Sequence, residues 1–504
     1  MTGLHTIDRW IRDRARTTPE RVAIDFEGVL VTCRELDEGS DARAAAFRAA
    51  GLRRGDRVAT LTASSPEHVA VLLACAKLGL ILLPLSWRLS PPELRYQLDD
   101  AEPSLLLVEN GREELAEATG HPWRSLEETR LGTRSPGLAD EGVSDDDPLL
   151  LVYTSGTTGR PKGALLTHAN CFWTNVGFDL TTGVHSDDVV LQVLPQFHVG
   201  GWNVQGLLAL WKGARLVLER QFDPERALRL IEEKRVTTMM GVPATYLFMA
   251  QQPEFASTDL SSLTRAVVGG APMPEALLET WAARGAAIVQ GYGLTEAAPN
   301  VLCLPPEEAV RKLGYAGRPY PFVEVRLAGA GLEAPPAEPS TPGREIGRPR
   351  APWGELQVRG PNVFPGYWRN PEATAQAFTS DGWLRTGDVA ECDDEGFYRI
   401  KGRLKEMYIS GGENVYPAEV EAVLHEHPQV ADAAVVGVPD ERWGEVGLAF
   451  VVADGLGEVE LREWCLGRLA RFKVPKSFRL VDDLPRNSMG KVQKDELRTT
   501  EVAG

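Results

Sequence analysis

Cysteine is scarce in this chain: six residues in 504, at Cys33, Cys75, Cys171, Cys303, Cys392 and Cys465, with no CxxC pair among them. That spacing excludes the disulfide framework of a small secreted domain, a thiolate zinc site and dithiol redox chemistry, and it points to a reducing, cytoplasmic compartment. Uninterrupted apolar runs are also missing. The longest, over residues 69–85, is broken by Lys77, Gly79 and Pro84, which predicts a buried helix, a turn and a strand rather than a transmembrane segment. The opening MTGLHTIDRWIRDRA lacks the apolar centre of a signal peptide and reads as an amphipathic helix with Ile7, Trp10 and Ile11 facing inward. Positive charge is in short supply, with 54 Lys and Arg against 71 Asp and Glu and a net charge of −17. Such a surface repels phosphate backbones and anionic lipid, so nucleic acid is excluded as a partner.

What is present is ordinary globular composition, 43% hydrophobic and 25% charged, over a length that calls for two to four compact units. Helix-period segments such as residues 34–50, closed by Gly51, alternate with short apolar runs at 57–62, 104–108, 189–194, 215–218, 237–241 and 265–268. This alternation is the signature of βα units, so the predicted class is α/β with at least two sheets. Residues 328–352 are rich in Pro and Gly and predict a surface loop. From Trp353 onward the pattern changes to short strands with turn signals. A charged stretch within YRIKGRLKEMYISGGENVYP separates two strand-like runs and reads as a hinge, giving a large domain over 1–402 and a small mobile α+β domain over 403–504. Residues 462–498 hold ten Lys or Arg against five Asp or Glu, a basic surface suited to a polyphosphate or to plain solvation.

Residues 154–163 read TSGTTGRPKG. Glycines let backbone N–H groups converge on an anion, hydroxyls add donors, and a lysine adds charge, so Thr154, Ser155, Gly156, Thr157, Thr158, Gly159 and Lys162 form a phosphate grip. It is not a Walker loop, because Lys162 is followed by Gly163 where that motif needs Ser or Thr. GYGLTE at 291–296 places an aromatic, a hydroxyl and a carboxylate at the carboxyl end of a strand, where open α/β sheets bind ligands. GGAP at 269–272, TGD at 386–388, Arg403 within GRLKEMYISGGEN, and Lys491 within PRNSMGKVQK are weak singly.

In this order and spacing these motifs resemble the adenylate-forming superfamily, which holds AMP-forming acyl-CoA synthetases, luciferase and peptide-synthetase adenylation domains. The resemblance covers about residues 20–495 and implies ATP, Mg²⁺ and coenzyme A as cofactor and co-substrates of a ligase acting on a carboxylic acid. It implies that the 154–163 loop holds the ATP β- and γ-phosphates, and that Gly270, Ala271 and Pro272 with Gly291 and Tyr292 enclose adenine. Asp388 and Arg403 would bind ribose, Thr295 the α-phosphate, and Glu296 with Thr154 the metal. Lys491 would serve adenylation, Lys405 would be the hinge, and Gly411 and Gly412 would line the pantetheine tunnel.

His198 in LPQFHVGGWN stands where amino-acid-activating relatives carry an acidic residue, so an amino-acid substrate is disfavoured. By resemblance His198 sits beside the reacting carboxylate, while Trp202, Met240, Ala297 and Pro299 line an apolar acyl pocket. With no Arg or Lys among those positions, a dicarboxylate is disfavoured. The motifs place a fatty acid first and an aryl acid of hydroxycinnamate or benzoate type second. Loading of a carrier protein remains the alternative to free CoA, and a nucleotide sensor without catalysis is disfavoured because Thr295, Glu296 and Lys491 are all present.

Overall fold

The computed structural model describes residues 3–127, 142–154, 160–329, 353–410, 413–440, 442–486 and 492–502. The proline-rich stretch read from sequence as a surface loop lies almost wholly outside them. Four sheets are present, two more than the minimum the sequence required. One has nine strands, in the order Arg318–Pro319, Asn300–Cys303, Ile288–Gly293, Arg265–Val268, Thr238–Gly241, Val189–Gln192, Arg215–Leu218, Val22–Phe26 and Val29–Thr32. A second has seven: Gly366–Tyr367, Lys162–Thr167, Pro148–Thr154, Ile81–Leu85, Arg57–Leu61, Leu105–Val108 and Arg124–Ser125. The core strands of both are parallel and buried on both faces, which is why they read as unbroken apolar runs.

The interrupted run at 69–85 resolves as expected into helix Pro66–Leu78, Gly79 in the left-handed region, and strand Ile81–Leu85. Ser65 caps that helix by accepting from the His68 N–H, and every residue from His68 to Leu78 is buried. Helix Asp8–Thr17 buries Ile7, Trp10 and Ile11, with Trp10 stacked on Trp211 at 4.6 Å. No helix among the described residues is long and apolar enough to cross a membrane, and all six cysteines are free thiols.

A third sheet, antiparallel, joins Glu324–Ala328, Trp353–Arg359, Leu384–Cys392 and Tyr398–Arg403. The fourth joins Glu413–Val415, Tyr408–Ser410, Gly444–Ala453 and Val430–Asp440, with Ser477–Leu480 added in parallel, and helices Pro417–His425 and Glu458–Leu466 complete this α+β unit. The chain passes from the third sheet to the fourth across residues 404–407, a turn closed by bonds from Leu404 N–H to the Gly387 carbonyl and from Glu406 and Met407 N–H to Arg403.

Buried histidines tie the elements together. His168 Nδ1 accepts from the Ile7 N–H at 3.1 Å, anchoring the first helix, and burial pushes its pKa down from 6.5 to about 4. His68 bridges Thr60 and Gln196, and burial pushes it down to about 3. Both are therefore neutral in the fold at pH 7 but protonated in the unfolded chain below pH 6.5. Their stabilisation is present above pH 6.5 and is lost as pH falls toward 4. Burial opposes charge on His425 too, but its bonds to Asp432 and the Glu421 carbonyl raise its pKa, so its opposite contribution is complete once pH drops below 6.5. Urea unfolding is expected to lose stability between pH 6.5 and 5 at about 1.4 kcal/mol per pH unit for each neutral buried histidine. His168→Gln is expected to flatten that slope by about one proton, and an unchanged slope would contradict the assignment.

Candidate active site

GGAP and GYGLTE follow adjacent parallel strands, whereas the 154–163 loop joins an antiparallel pair of the second sheet, and TGD and Arg403 lie in the antiparallel third sheet. Strands Pro148–Thr154 and Lys162–Thr167 form an antiparallel pair in which Thr154 lies opposite Lys162 and Tyr153 opposite Gly163. This pairing clamps both ends of the predicted phosphate loop. Tyr96 adds a hydrogen bond to the Pro161 carbonyl at 3.1 Å. Ser155, Gly156, Thr157, Thr158 and Gly159 lie outside the described residues, as do Gly411, Gly412 and Lys491.

The parallel strands Arg265–Val268 and Ile288–Gly293 end their register at Val268 opposite Gln290. Two residues further along each stand Gly270 and Tyr292. Gly270 has φ +84°, and Ala271 and Pro272 are exposed. The strand carrying GYG runs three residues beyond its predicted end, because Gly291, Tyr292 and Gly293 acquire an antiparallel partner in Asn300–Cys303. A Cβ on Gly293 would fall 1.7 Å from the Pro299 carbonyl oxygen, so only glycine admits that return of the chain. Thr295, Glu296 and Ala297 form a single 3₁₀ turn inside it.

Tyr292 donates its hydroxyl to Asp388 Oδ2 at 2.5 Å, and burial followed by the Asp388 charge holds the phenol well above its ordinary pKa. Asp388 is buried and lies in register opposite Arg403, whose Nε is 3.3 Å from Asp388 Oδ1. Arg403 is 41% exposed, so this pair contributes at most about 1 kcal/mol to stability. Its arrangement, an aromatic face beside a carboxylate and a guanidinium, suits a nucleoside better than it suits stability.

Glu296 Oε1 accepts from the Tyr367 hydroxyl at 2.8 Å and stands 3.5 Å from Thr154 Oγ1. The Lys162 ammonium lies 5.3 Å from the Tyr367 ring centre. Among the described residues no group of three or more His, Cys, Asp and Glu could cage a metal. One carboxylate and one hydroxyl are hard oxygen donors in the number Mg²⁺ takes from protein when phosphates and water supply the rest, so the donor set fits that ion.

His198 follows strand Val189–Gln192 in a loop held by Gln196, whose backbone N–H donates to Ser64 Oγ and whose side chain accepts from the Ser65 N–H. Gly201 is needed here, because a Cβ would fall 2.2 Å from the Pro195 carbonyl oxygen. Burial, then the nearby Arg88 charge, pushes the His198 pKa down to about 4, and its buried Nε2 has no hydrogen-bond partner among the described residues. The imidazole is neutral at pH 7. Arg88, whose guanidinium lies over the Trp87 and Phe197 rings, is a cation near His198 that no sequence motif marks.

Met240 is half-buried, and its Cε would stand 2.9 Å from a Cβ on Gly269, so its side chain lies across that glycine. Pro299 is half-buried. Trp202 and Ala297, expected on the acyl wall, are enclosed by protein at 1% and 0% exposure: Trp202 packs edge-on to His68 at 5.0 Å, and Ala297 sits in the main core. Their expected wall positions face packed side chains here. Lys405 is exposed on the turn between sheets. Tyr367 escaped the sequence reading because its partner Glu296 is 71 residues away.

Residues 11–368 match the AMP-binding enzyme family, and residues 419–491 match the C-terminal domain of AMP-binding enzymes. Among curated proteins, the chain is 44% identical to a feruloyl-CoA synthase of Amycolatopsis sp over 97% of its own length and 98% of that protein's. It is 41% identical to an indoleacetate–CoA ligase of Aromatoleum aromaticum, over 98% and 97%. Among solved structures, a Mycobacterium tuberculosis fatty acyl CoA synthetase superposes with a TM-score of 0.78 at 36% identity, covering 99% of both chains. Nearly the whole length is shared with each: the chain belongs to the AMP-binding enzyme family and is an ATP-dependent acyl-CoA synthetase of the adenylate-forming superfamily.

Proposed function

We propose that the chain activates an aromatic or arylalkanoic monocarboxylate with ATP and passes the acyl group to coenzyme A. The observation that carries the substrate reading is the run of adjacent strand ends Gly291, Gly269 and Met240, next to the strand Val189–Gln192 that leads to His198. Met240, half-buried and lying across Gly269, offers an apolar side chain against which a ring face could pack. The feruloyl- and indoleacetate-activating relatives support the same class. This reverses the order drawn from the motifs alone, which placed a fatty acid first; that reading is supported by the fatty acyl CoA synthetase neighbour.

In this reading the 154–163 loop and Lys162 hold the triphosphate, Tyr292 and residues 270–272 enclose adenine, and Asp388 with Arg403 bind the ribose hydroxyls. Glu296 and Thr154 would hold Mg²⁺, which supplies positive charge against the β- and γ-phosphates. A carboxylate oxygen of the acid bonds to the α-phosphorus, the bond to pyrophosphate breaks, and Lys491 neutralises charge on the α-phosphoryl oxygens. His198, neutral and with Nε2 unpartnered, is placed to orient the reacting carboxylate without trapping it as a salt bridge. The CoA sulfur then bonds to the acyl carbon and AMP leaves. The small domain, residues 403–504, turns about Lys405 between the two steps. It presents exposed Trp443 and Phe472, with Arg442 and Lys473 near their rings, an aromatic and cationic surface suited to the nucleotide of free CoA rather than a carrier protein.

The purified protein with ATP, Mg²⁺ and CoA is expected to release AMP and form thioester in step with hydroxycinnamate or arylacetate acids, ahead of straight-chain acids. Higher kcat/KM for a fatty acid would overturn the aryl reading, activity on dicarboxylates would assign Arg88 a substrate role, and AMP release without acyl-CoA would indicate a carrier-protein acceptor. Lys405→Pro is expected to keep adenylation, followed by pyrophosphate exchange, while thioester formation falls at least tenfold, because Pro fixes φ near the value of a single state. Equal loss of both steps would contradict the hinge. Lys491→Ala is expected to slow adenylation roughly 10²–10³-fold and to leave conversion of a supplied acyl-adenylate to thioester nearly intact.

A further inference from the structure

We propose that Tyr367 is the positioning residue of the phosphate end of the site: its hydroxyl sets the Glu296 carboxylate and its ring face seats the Lys162 ammonium. The inference deepens the functional reading above and rests on it. Tyr367 lies on the two-residue edge strand Gly366–Tyr367, paired antiparallel with the strand that Lys162 begins, so that Tyr367 faces Ala164 and Gly366 faces Leu165. The flanking Trp368 N–H donates to the Gly163 carbonyl at 2.7 Å, and the Tyr367 N–H donates to Thr374 Oγ1 at 2.9 Å. Phe364 meets the Tyr367 ring edge-on at 4.9 Å. The backbone is thus pinned on both sides and the ring is buttressed, leaving the hydroxyl little choice of direction.

That direction is chemically specific. The Tyr367 hydroxyl reaches Glu296 Oε1 at 2.8 Å, the same oxygen that Thr154 approaches at 3.5 Å. Two hydroxyls converge on one carboxylate oxygen, and among the described residues no hydrogen bond reaches Oε2. With Oε1 so occupied, Glu296 is held to present Oε2, the arrangement of a monodentate ligand to a hard cation. A tyrosine serving only the core could have satisfied its hydroxyl on any carbonyl nearby. Burial and the Glu296 charge both hold the phenol proton in place, so Tyr367 donates and does not titrate. The same ring carries the Lys162 ammonium 5.3 Å from its centre, within the range of a cation–π contact. One side chain therefore couples the anionic, metal-holding group to the cationic, phosphate-holding one.

Tyr367→Phe separates the two contacts, removing the hydroxyl and keeping the ring. Equilibrium ATP binding would be measured by calorimetry over a titration of MgCl₂, beside AMP binding without metal. Loss of a hydrogen bond to a charged group is expected to raise the half-saturating Mg²⁺ about tenfold, with the affinity for AMP and the KM for the acid unchanged. Tyr367→Leu, which also removes the ring, is expected to weaken metal-free ATP binding as well. In a double-mutant cycle, adding Tyr367→Phe to Glu296→Gln is expected to cause less than a twofold further change, because the contact is already altered. An unchanged Mg²⁺ dependence in Tyr367→Phe, an equal loss of AMP affinity, or full additivity in the cycle would each overturn the proposal. If the wild-type protein itself bound ATP without any Mg²⁺ dependence, the functional reading would fail first, and that result is distinct from all three.

Discussion

The site depends on one close approach of backbone to backbone, the Pro299 carbonyl against the α-carbon of Gly293. It turns the chain back within six residues, with Leu294 N–H bonded to the Pro299 carbonyl and Ala297 N–H to the Leu294 carbonyl. The turn is stapled from outside by Asn362, whose buried amide donates to the carbonyls of Ala297 and Asn300, and by the Phe364 N–H on the Glu296 carbonyl. Tyr292 on one side of the turn and Glu296 on its crest are consequently fixed relative to each other. The segment that supplies Asn362 and Phe364 continues to Tyr367, so the nucleoside end and the phosphate end are referenced to a single piece of chain. A side chain at 293 would disturb both ends at once.

Electrostatics follow from this geometry. The protein is strongly acidic overall, yet Lys162 lies by the Tyr367 ring, Arg403 opposite Asp388 and Arg88 over the Trp87 and Phe197 rings. The half-exposed pair of Arg403 with buried Asp388 contributes little to stability. His198 is set in the opposite way: burial and a neighbouring guanidinium deny it a charge.

Much of this was legible in the chain because contiguous letters carried it. Buried parallel strands read as apolar runs, Gly79 marked where residues 69–85 break, and contiguous motifs carried the resemblance to the family that the comparisons show. The α/β class, the inward face of the first helix and the elements of the last hundred residues follow from such local pattern. What local pattern does not encode is long-range pairing. The strand through Gly293 outran its prediction because its added partner, Asn300–Cys303, is antiparallel and lies downstream. Tyr367 looks like any aromatic in PNVFPGYW, and Arg88 like any surface arginine. Trp202 reads as a pocket wall from its neighbours but is enclosed, because its ring packs edge-on to His68 on the helix Pro66–Leu78.

The chain leaves the third sheet immediately after Arg403 and enters the fourth at Tyr408, with only a four-residue turn between. Arg403 is anchored in register opposite Asp388, so a rotation within that turn would carry everything downstream through an arc while the ribose contact stayed still. The proposed pivot, Lys405, and the proposed nucleotide anchor, Arg403, lie two positions apart in the chain. A lever mounted so close to its fulcrum converts a small dihedral change at Lys405 into a displacement that grows with distance from it, largest at the far edge of the small unit. The nucleotide, at the fulcrum, would be the one component that need not be released and rebound when the chemistry changes.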